Sequence, residues 1–143
     1  MLSPRSACVQ PSSAACKARG AKRALPLPVS APFHSSLMQP AAERLRDFLG
    51  STRVAAPSVP LVNNVDVAMP RDPAQIKDAL VRQAASPVRW VEIIRHMAGM
   101  GITHVVECGP GKVLAGLTKR CADGVTGVAL ADAAAIEANL GLE

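Results

Sequence analysis

Large aromatic side chains are nearly absent from this 143-residue chain, which holds two phenylalanines, one tryptophan and no tyrosine. A core so poor in rings has to be filled by Ala, Val and Leu, and hydrophobic residues make up 49% of the sequence. A basic nucleic-acid surface usually interleaves cations with stacking aromatics. None precedes Phe33, so no nucleic-acid partner is expected. Acidic residues are missing too until Glu43. Arg5, Lys17, Arg19, Lys22 and Arg23 therefore account for the whole net charge of +5. That end reads as a solvated basic surface, favourable to a phosphorylated or acidic partner. No apolar run approaches the roughly 20 residues that span a bilayer, so no membrane partner is expected. Cys8, Cys16, Cys108 and Cys121 show no CxxC spacing and no nearby histidine pair, which leaves a metal site unsupported. They read as reduced thiols of a cytoplasmic protein, with Cys108 in the core. Residues 1–23 have the Arg-, Ser- and Ala-rich composition of a transit peptide. Pro4 and Pro11 interrupt any amphipathic helix there, and a loose leader over 1–13 is expected.

What the chain does contain is an alternation of helical and strand-like stretches. Ala14 to Arg19 reads as a helix tail closed by Gly20. Arg23 to Ser30 reads as a strand broken by Pro26 and Pro28. After His34, Ser35 or Ser36 is expected to cap a helix with Pro40 in its first turn. Its apolar face would be Leu37, Met38, Ala41, Leu45, Phe48 and Leu49. Val59 to Val62 reads as a buried strand leading into Asn63-Asn64. Asp72-Pro73-Ala74-Gln75 is a helix start, with Asp at the N-cap and Pro at N1. Ile76, Leu80 and Gln83 lie near one stripe of that helix. Ser86-Pro87 is expected to open the next helix, buried through Trp90, Ile93, Ile94, Met97 and Met100. Thr103 to Cys108 is the clearest buried strand, followed by the turn Gly109-Pro110-Gly111-Lys112 and a helix over Val113 to Ala122. A last strand over Gly127 to Leu130 and a helix capped by Asp132 complete an α/β pattern with a largely parallel sheet.

His34 stands on a loop at a strand-to-helix junction, where ligands bind in open α/β sheets. Histidine is the residue best suited to proton exchange near neutral pH. A base needs a nucleophile, and no serine here sits in a G-x-S-x-G elbow. Cys108 is expected to be buried. The Gly109 to Lys112 turn is not a Walker A loop, because its second glycine comes too soon and no Ser or Thr follows Lys112. It reads as a tight turn or as an anion cradle at a helix N-terminus. Asn63 and Asn64 either bond backbone in a turn or line a pocket. Nothing in the sequence places Glu107 and Asp66 face to face. His96 and His104 read as structural or solvent-facing.

Several of these stretches together resemble malonyl-CoA:acyl-carrier-protein transacylases. They are Gly20-Ala21-Lys22-Arg23-Ala24-Leu25-Pro26-Leu27-Pro28-Val29-Ser30, Ala31-Pro32-Phe33-His34-Ser35, Val59-Pro60-Leu61-Val62-Asn63-Asn64-Val65-Asp66, Leu80-Val81-Arg82-Gln83, Pro87-Val88-Arg89-Trp90, and Glu107-Cys108-Gly109-Pro110-Gly111-Lys112-Val113-Leu114. The resemblance runs from about residue 14 to the end. It implies an α/β-hydrolase-like subdomain over 31–143, preceded over 14–30 by the last helix and strand of a ferredoxin-like insert. It implies transfer of a malonyl group from malonyl-CoA to the phosphopantetheine thiol of acyl carrier protein in fatty acid biosynthesis, with no metal and no redox cofactor. His34 matches the family's catalytic base. Gln83 matches the position whose main-chain carbonyl orients that base. Phe33 resembles the malonyl-selective form of the motif.

The departures are equally specific. The family's GHSxG serine, its oxyanion loop and its carboxylate-gripping arginine have no counterpart in these residues. The expectation is a C-terminal portion, inactive by itself and completed by a separate N-terminal half. Two other readings stand beside it: a non-enzymatic domain binding carrier protein or an anion through Lys22, Arg23 and the Gly109 to Lys112 turn, or a piece of a polyketide synthase acyltransferase.

Overall fold

The computed structural model describes residues 6–25 and 31–139. The chain divides into two compact units, the first ending at Pro32 and the second beginning at Phe33. In the first, helix α1 spans Ser6–Ala18 with Pro11 inside it. The loose start expected over 1–13 is therefore helical from Ser6, although a proline there withholds one backbone donor from the ladder. The end of α1 follows its local chemistry. Gly20 takes φ +91°, and the amides of Gly20 and Ala21 bond the carbonyls of Lys17 and Cys16 at 3.0 Å each. This is the Schellman arrangement that a glycine after a helix permits. Residues 23–25 form no strand, and the rest of that expected strand, with Pro26 and Pro28, lies outside the described residues.

The second unit opens with a 3-10 turn at Ser36–Met38 and helix α2, Gln39–Ser51. The serines do not cap α2 directly: Met38 holds its N-cap, and Pro40 sits in the first turn as expected. Helix α3, Pro73–Ala85, starts where its sequence says it should, with the Asp72 carboxylate accepting from the Gln75 amide at 3.0 Å. It packs against α2 through Val81, Ala84 and Ala85, which meet Ala42, Leu45 and Leu49. The α2 stripe is thus rotated from the expected one, and Leu37 and Phe48 remain 63% and 67% exposed. Helix α4, Trp90–Gly99, begins four residues after Ser86, which instead ends α3 in an extended conformation. A residue before proline is pushed out of the helical region, and Ser86 precedes Pro87.

Strands β1, His104–Cys108, and β2, Thr126–Leu130, pair in parallel with His104 opposite Thr126 and Cys108 opposite Leu130. Helix α5, Val113–Thr118, crosses between them and packs on both. Helix α6, Ala133–Ala138, is capped by Asp132, whose carboxylate accepts from the Ala135 amide at 2.8 Å. A second core joins Ile94, Cys121 and Val125 to Trp90, Met97 and Val105.

Three sequence expectations need correction here. Val59 to Val62 is not a strand, since no described segment pairs with it, and Val59 and Leu61 are 67% and 52% exposed. The β1 strand is not buried on both faces: His104, Val106 and Cys108 all point to an exposed side. Cys108 is consequently a surface thiol rather than a core residue, because alternate residues of a strand share one face and only the other face is covered. His96, read as structural or solvent-facing, is half-buried, with a buried Nε2 that has no hydrogen-bond partner among the described residues.

Candidate functional site

Helix α3 ends at Ala85, so the carbonyls of its last turn have no partner further along the helix. One of them belongs to Gln83. It accepts the Ser86 amide at 3.5 Å and lies 3.4 Å from Nδ1 of His34, forty-nine residues earlier in the chain. The partial negative charge of a helix C-terminus is thus presented to the imidazole. A carbonyl oxygen only accepts, so the contact needs the proton on Nδ1, and in the neutral ring with that tautomer the Nε2 lone pair is the free one.

His34 is exposed and has φ +56°. Non-glycine residues seldom occupy this left-handed region, where a side chain costs roughly 1–2 kcal/mol. The backbone turn aims the ring back toward α3. Phe33 beside it is 55% exposed.

The remaining expected residues lie across α3. Asn63 is 6% exposed, and its side-chain oxygen accepts from the amides of Val65 at 3.1 Å and Asp66 at 2.7 Å. Its Nδ2 is buried with no hydrogen-bond partner among the described residues. The Asn64 amide donates to Oε1 of Gln83 at 3.4 Å, and the Asn64 carbonyl accepts from the Arg89 amide at 3.1 Å. So the structure brings His34, Gln83 and Asn64 into one chain of contacts. Asn63 shapes the turn and borders an open cleft of about 570 Å³ with Asp66, Met69, Pro70 and Arg82. A second cavity of about 250 Å³ lies between Leu61, Asn64, Ile76, Leu80 and Gln83. The expected stripe of Ile76, Leu80 and Gln83 therefore faces that cavity, while α3 turns Val81 toward α2.

Arg82 is the residue sequence reasoning missed. Its Nη1 and Nη2 bond both carboxylate oxygens of Asp66 at 2.6 and 2.7 Å, and its Nε bonds Asp78 at 2.6 Å. Only the Asp78–Arg82 spacing of four was visible in the sequence. The Arg82 hydrogen bond holds the Asp66 carboxyl below its ordinary value of 3.8, partly opposed by desolvation, and the same pairing raises Arg82. Glu92 is likewise lowered by its hydrogen bond to Arg89. A carboxyl with a lowered folded value stabilises fully above its unfolded value and loses that contribution as pH falls through the folded one. Urea midpoints taken below pH 3.8 should therefore decline less steeply in Asp66→Asn than in the parent chain.

Glu107 and Asp66 serve separate ends. Glu107, at the end of β1, accepts from the Ala115 amide at 2.8 Å in the first turn of α5. The protein's own carboxylate holds the place that an anion would take at that helix start. Among the described residues no group of His, Cys, Asp or Glu is arranged for a metal ion. Replacing Glu107 by Ala is expected to cost about 1 kcal/mol, as loss of a capping acceptor does, and Glu107→Gln less. Urea unfolding of both variants measures it.

No protein-family model matches the chain. It is 54% identical over 132 residues to the malonyl CoA-acyl carrier protein transacylase of Salmonella typhimurium, a match covering 92% of this chain and 43% of that protein. The protein of the same name from Bacillus subtilis is 43% identical over 129 residues, 90% of this chain and 41% of its own. The solved structure of acyl-carrier-protein S-malonyltransferase from Burkholderia pseudomallei matches with a TM-score of 0.87 at 57% identity, covering 94% and 44%. A malonyl-transacylase solved in complex with a type II PKS acyl-carrier protein matches with a TM-score of 0.86 at 45% identity, covering 90% and 42%. The chain is homologous to proteins named malonyl CoA-acyl carrier protein transacylase and spans less than half the length of those it matches.

Proposed function

We propose that this chain supplies the general-base portion of a malonyl-transfer site in fatty acid synthesis, with malonyl-CoA as donor and acyl carrier protein as acceptor. The observation that carries it is the His34 ring placed with Nδ1 3.4 Å from the Gln83 carbonyl oxygen. In this reading Nε2 takes the hydroxyl proton of a serine lying in the part of the relatives that this chain does not span. The serine oxygen attacks the malonyl thioester carbonyl. As the carbon–sulfur bond breaks, the imidazolium returns its proton to the departing coenzyme A thiol. The same nitrogen then deprotonates the phosphopantetheine thiol, which attacks the malonyl-serine ester, and the proton goes back to the serine. Gln83 fixes the tautomer through a main-chain carbonyl, the role a carboxylate has in many triads.

The finer assignments belong to the same proposal. Residues 31–143 form the C-terminal part of an α/β-hydrolase-like subdomain, and residues 14–30 the tail of a ferredoxin-like insert. Phe33, Asn63 and Asn64 border the malonyl pocket, and the reaction takes place in the cytoplasm without a cofactor. The parallel β1–β2 pair with α5 between them and the homology to S-malonyltransferases support this architecture.

Reconstitution tests the proposal. The purified chain is mixed with the complementary N-terminal portion of the Salmonella typhimurium relative, and transfer of labelled malonyl from coenzyme A to carrier protein is followed. Transfer is expected from the mixture and not from this chain alone. Turnover by the chain alone would show that its nucleophile lies elsewhere.

A further inference from the structure

We propose that Arg82 and Asp66 are positioning residues for the His34–Gln83 pair, clamping the Asn63–Ala68 turn onto helix α3 so that the Gln83 carbonyl meets Nδ1. The inference rests on His34 being the base described above.

The turn needs such a clamp. Val67 stands at φ +58°, a conformation that a β-branched residue holds only when its surroundings over-determine it. Asn63 supplies part of that restraint through its bonds to the Val65 and Asp66 amides, and its own amide bonds the Ala68 carbonyl at 2.9 Å. Those bonds are internal to the turn and do not fix it to α3. The Arg82 fork does. Both its terminal nitrogens bind Asp66, while Nε bonds Asp78, one helical turn earlier and outside the turn. Paired, planar contacts of this kind fix geometry as well as charge.

Arg82 is the residue immediately before Gln83. From the clamped turn, the Asn64 amide reaches the Gln83 side-chain oxygen. Gln83 is therefore held from both sides: by the turn at its side chain and by the helix at its carbonyl. The ion pair is 41% exposed at Arg82 and 37% at Asp66, so it adds little to overall stability. Its consequence is local alignment.

The tautomer of His34 reads this out without any assay of activity. In the ¹⁵N-labelled 143-residue chain, imidazole nitrogen shifts at mildly alkaline pH give the ratio of Nδ1–H to Nε2–H forms, with His34 assigned from His34→Asn. Asp66→Asn and Arg82→Lys are each expected to lower that ratio about fivefold, the equivalent of one ordinary hydrogen bond. Asp66→Glu, which keeps the carboxylate, should restore most of it. Asp78→Asn leaves the turn clamped and serves as the control. Backbone spectra and urea midpoints check that each variant folds, and the exposed position of the pair predicts that they do. An unchanged ratio in Asp66→Asn, or an equal change in Asp78→Asn, overturns the proposal. Failure of malonyl transfer in the reconstituted mixture, with these ratios moving as expected, would instead count against the functional reading alone.

Discussion

Replacing His34 by asparagine is expected to lower malonyl transfer by the reconstituted pair roughly a hundred- to ten-thousand-fold, the usual contribution of a positioned general base. Asparagine is the informative substitution because His34 has φ +56°, and asparagine tolerates that region better than alanine. The backbone turn then survives while the proton acceptor is lost. His34 is exposed, so its removal leaves no cavity in either core. The effect should fall on kcat, with the KM for malonyl-CoA changed little, since in the proposed mechanism the ring acts on the proton in transfer rather than on substrate binding. Single-turnover formation of the malonyl-serine would show the defect directly. Unimpaired transfer by the His34→Asn mixture would remove this residue from the mechanism.

The second large effect concerns the scaffold. Gly127→Ala is expected to destabilise the β1–α5–β2 region by at least about 1–3 kcal/mol, as overpacking of a tight contact does. A Cβ at Gly127 would lie 2.8 Å from the Cα and carbonyl carbon of Ala115 and closer still to its oxygen. These are backbone atoms of α5, which cannot rotate aside as a side chain would. The helix must lift from β2, and with it Thr118, which is fully buried. Gly116→Ala, on the same helix, supplies the contrast. Nothing lies within 4 Å of its added Cβ, and alanine favours a helix over glycine by about 0.5–1 kcal/mol. Urea midpoints should therefore move in opposite directions for these two glycine-to-alanine changes. Equal shifts would contradict the close approach of α5 to Gly127.

The exposed side of β1 bears on the same region. Parallel sheets occur almost always covered on both faces. Here Val106 is 41% exposed beside His104 and Cys108, and on α5 Val113 is 69% exposed. Val106 and Cys108 read as core in the sequence because apolar character records what a residue is suited to meet. Which neighbours are present is a matter of the assembled chain.

The sequence by itself determined the features whose causes lie within a few residues. Asp72 and Asp132 cap their helices across three positions, and Gly20 and Gly101 end theirs through a left-handed turn. The order of motifs from Gly20 to Leu114 likewise pointed to the malonyl transacylases, at which the homology arrives independently. The tertiary structure alone decided what depends on packing between distant segments. It moved the apolar stripe of α2 toward Ala42, left Val59 to Val62 without a strand partner among the described residues, and turned Cys108 outward. It also set Gly127 against Ala115 and bound Arg82 to Asp66 across sixteen residues. The meeting of His34 with Gln83 belongs to both. Family resemblance named the pair, whereas the left-handed backbone of His34 and the early end of α3 before Pro87 bring Nδ1 to a carbonyl of the last helical turn. A cap is written in adjacent residues because its atoms are neighbours along the chain. A contact across forty-nine residues exists only once the intervening helices have packed.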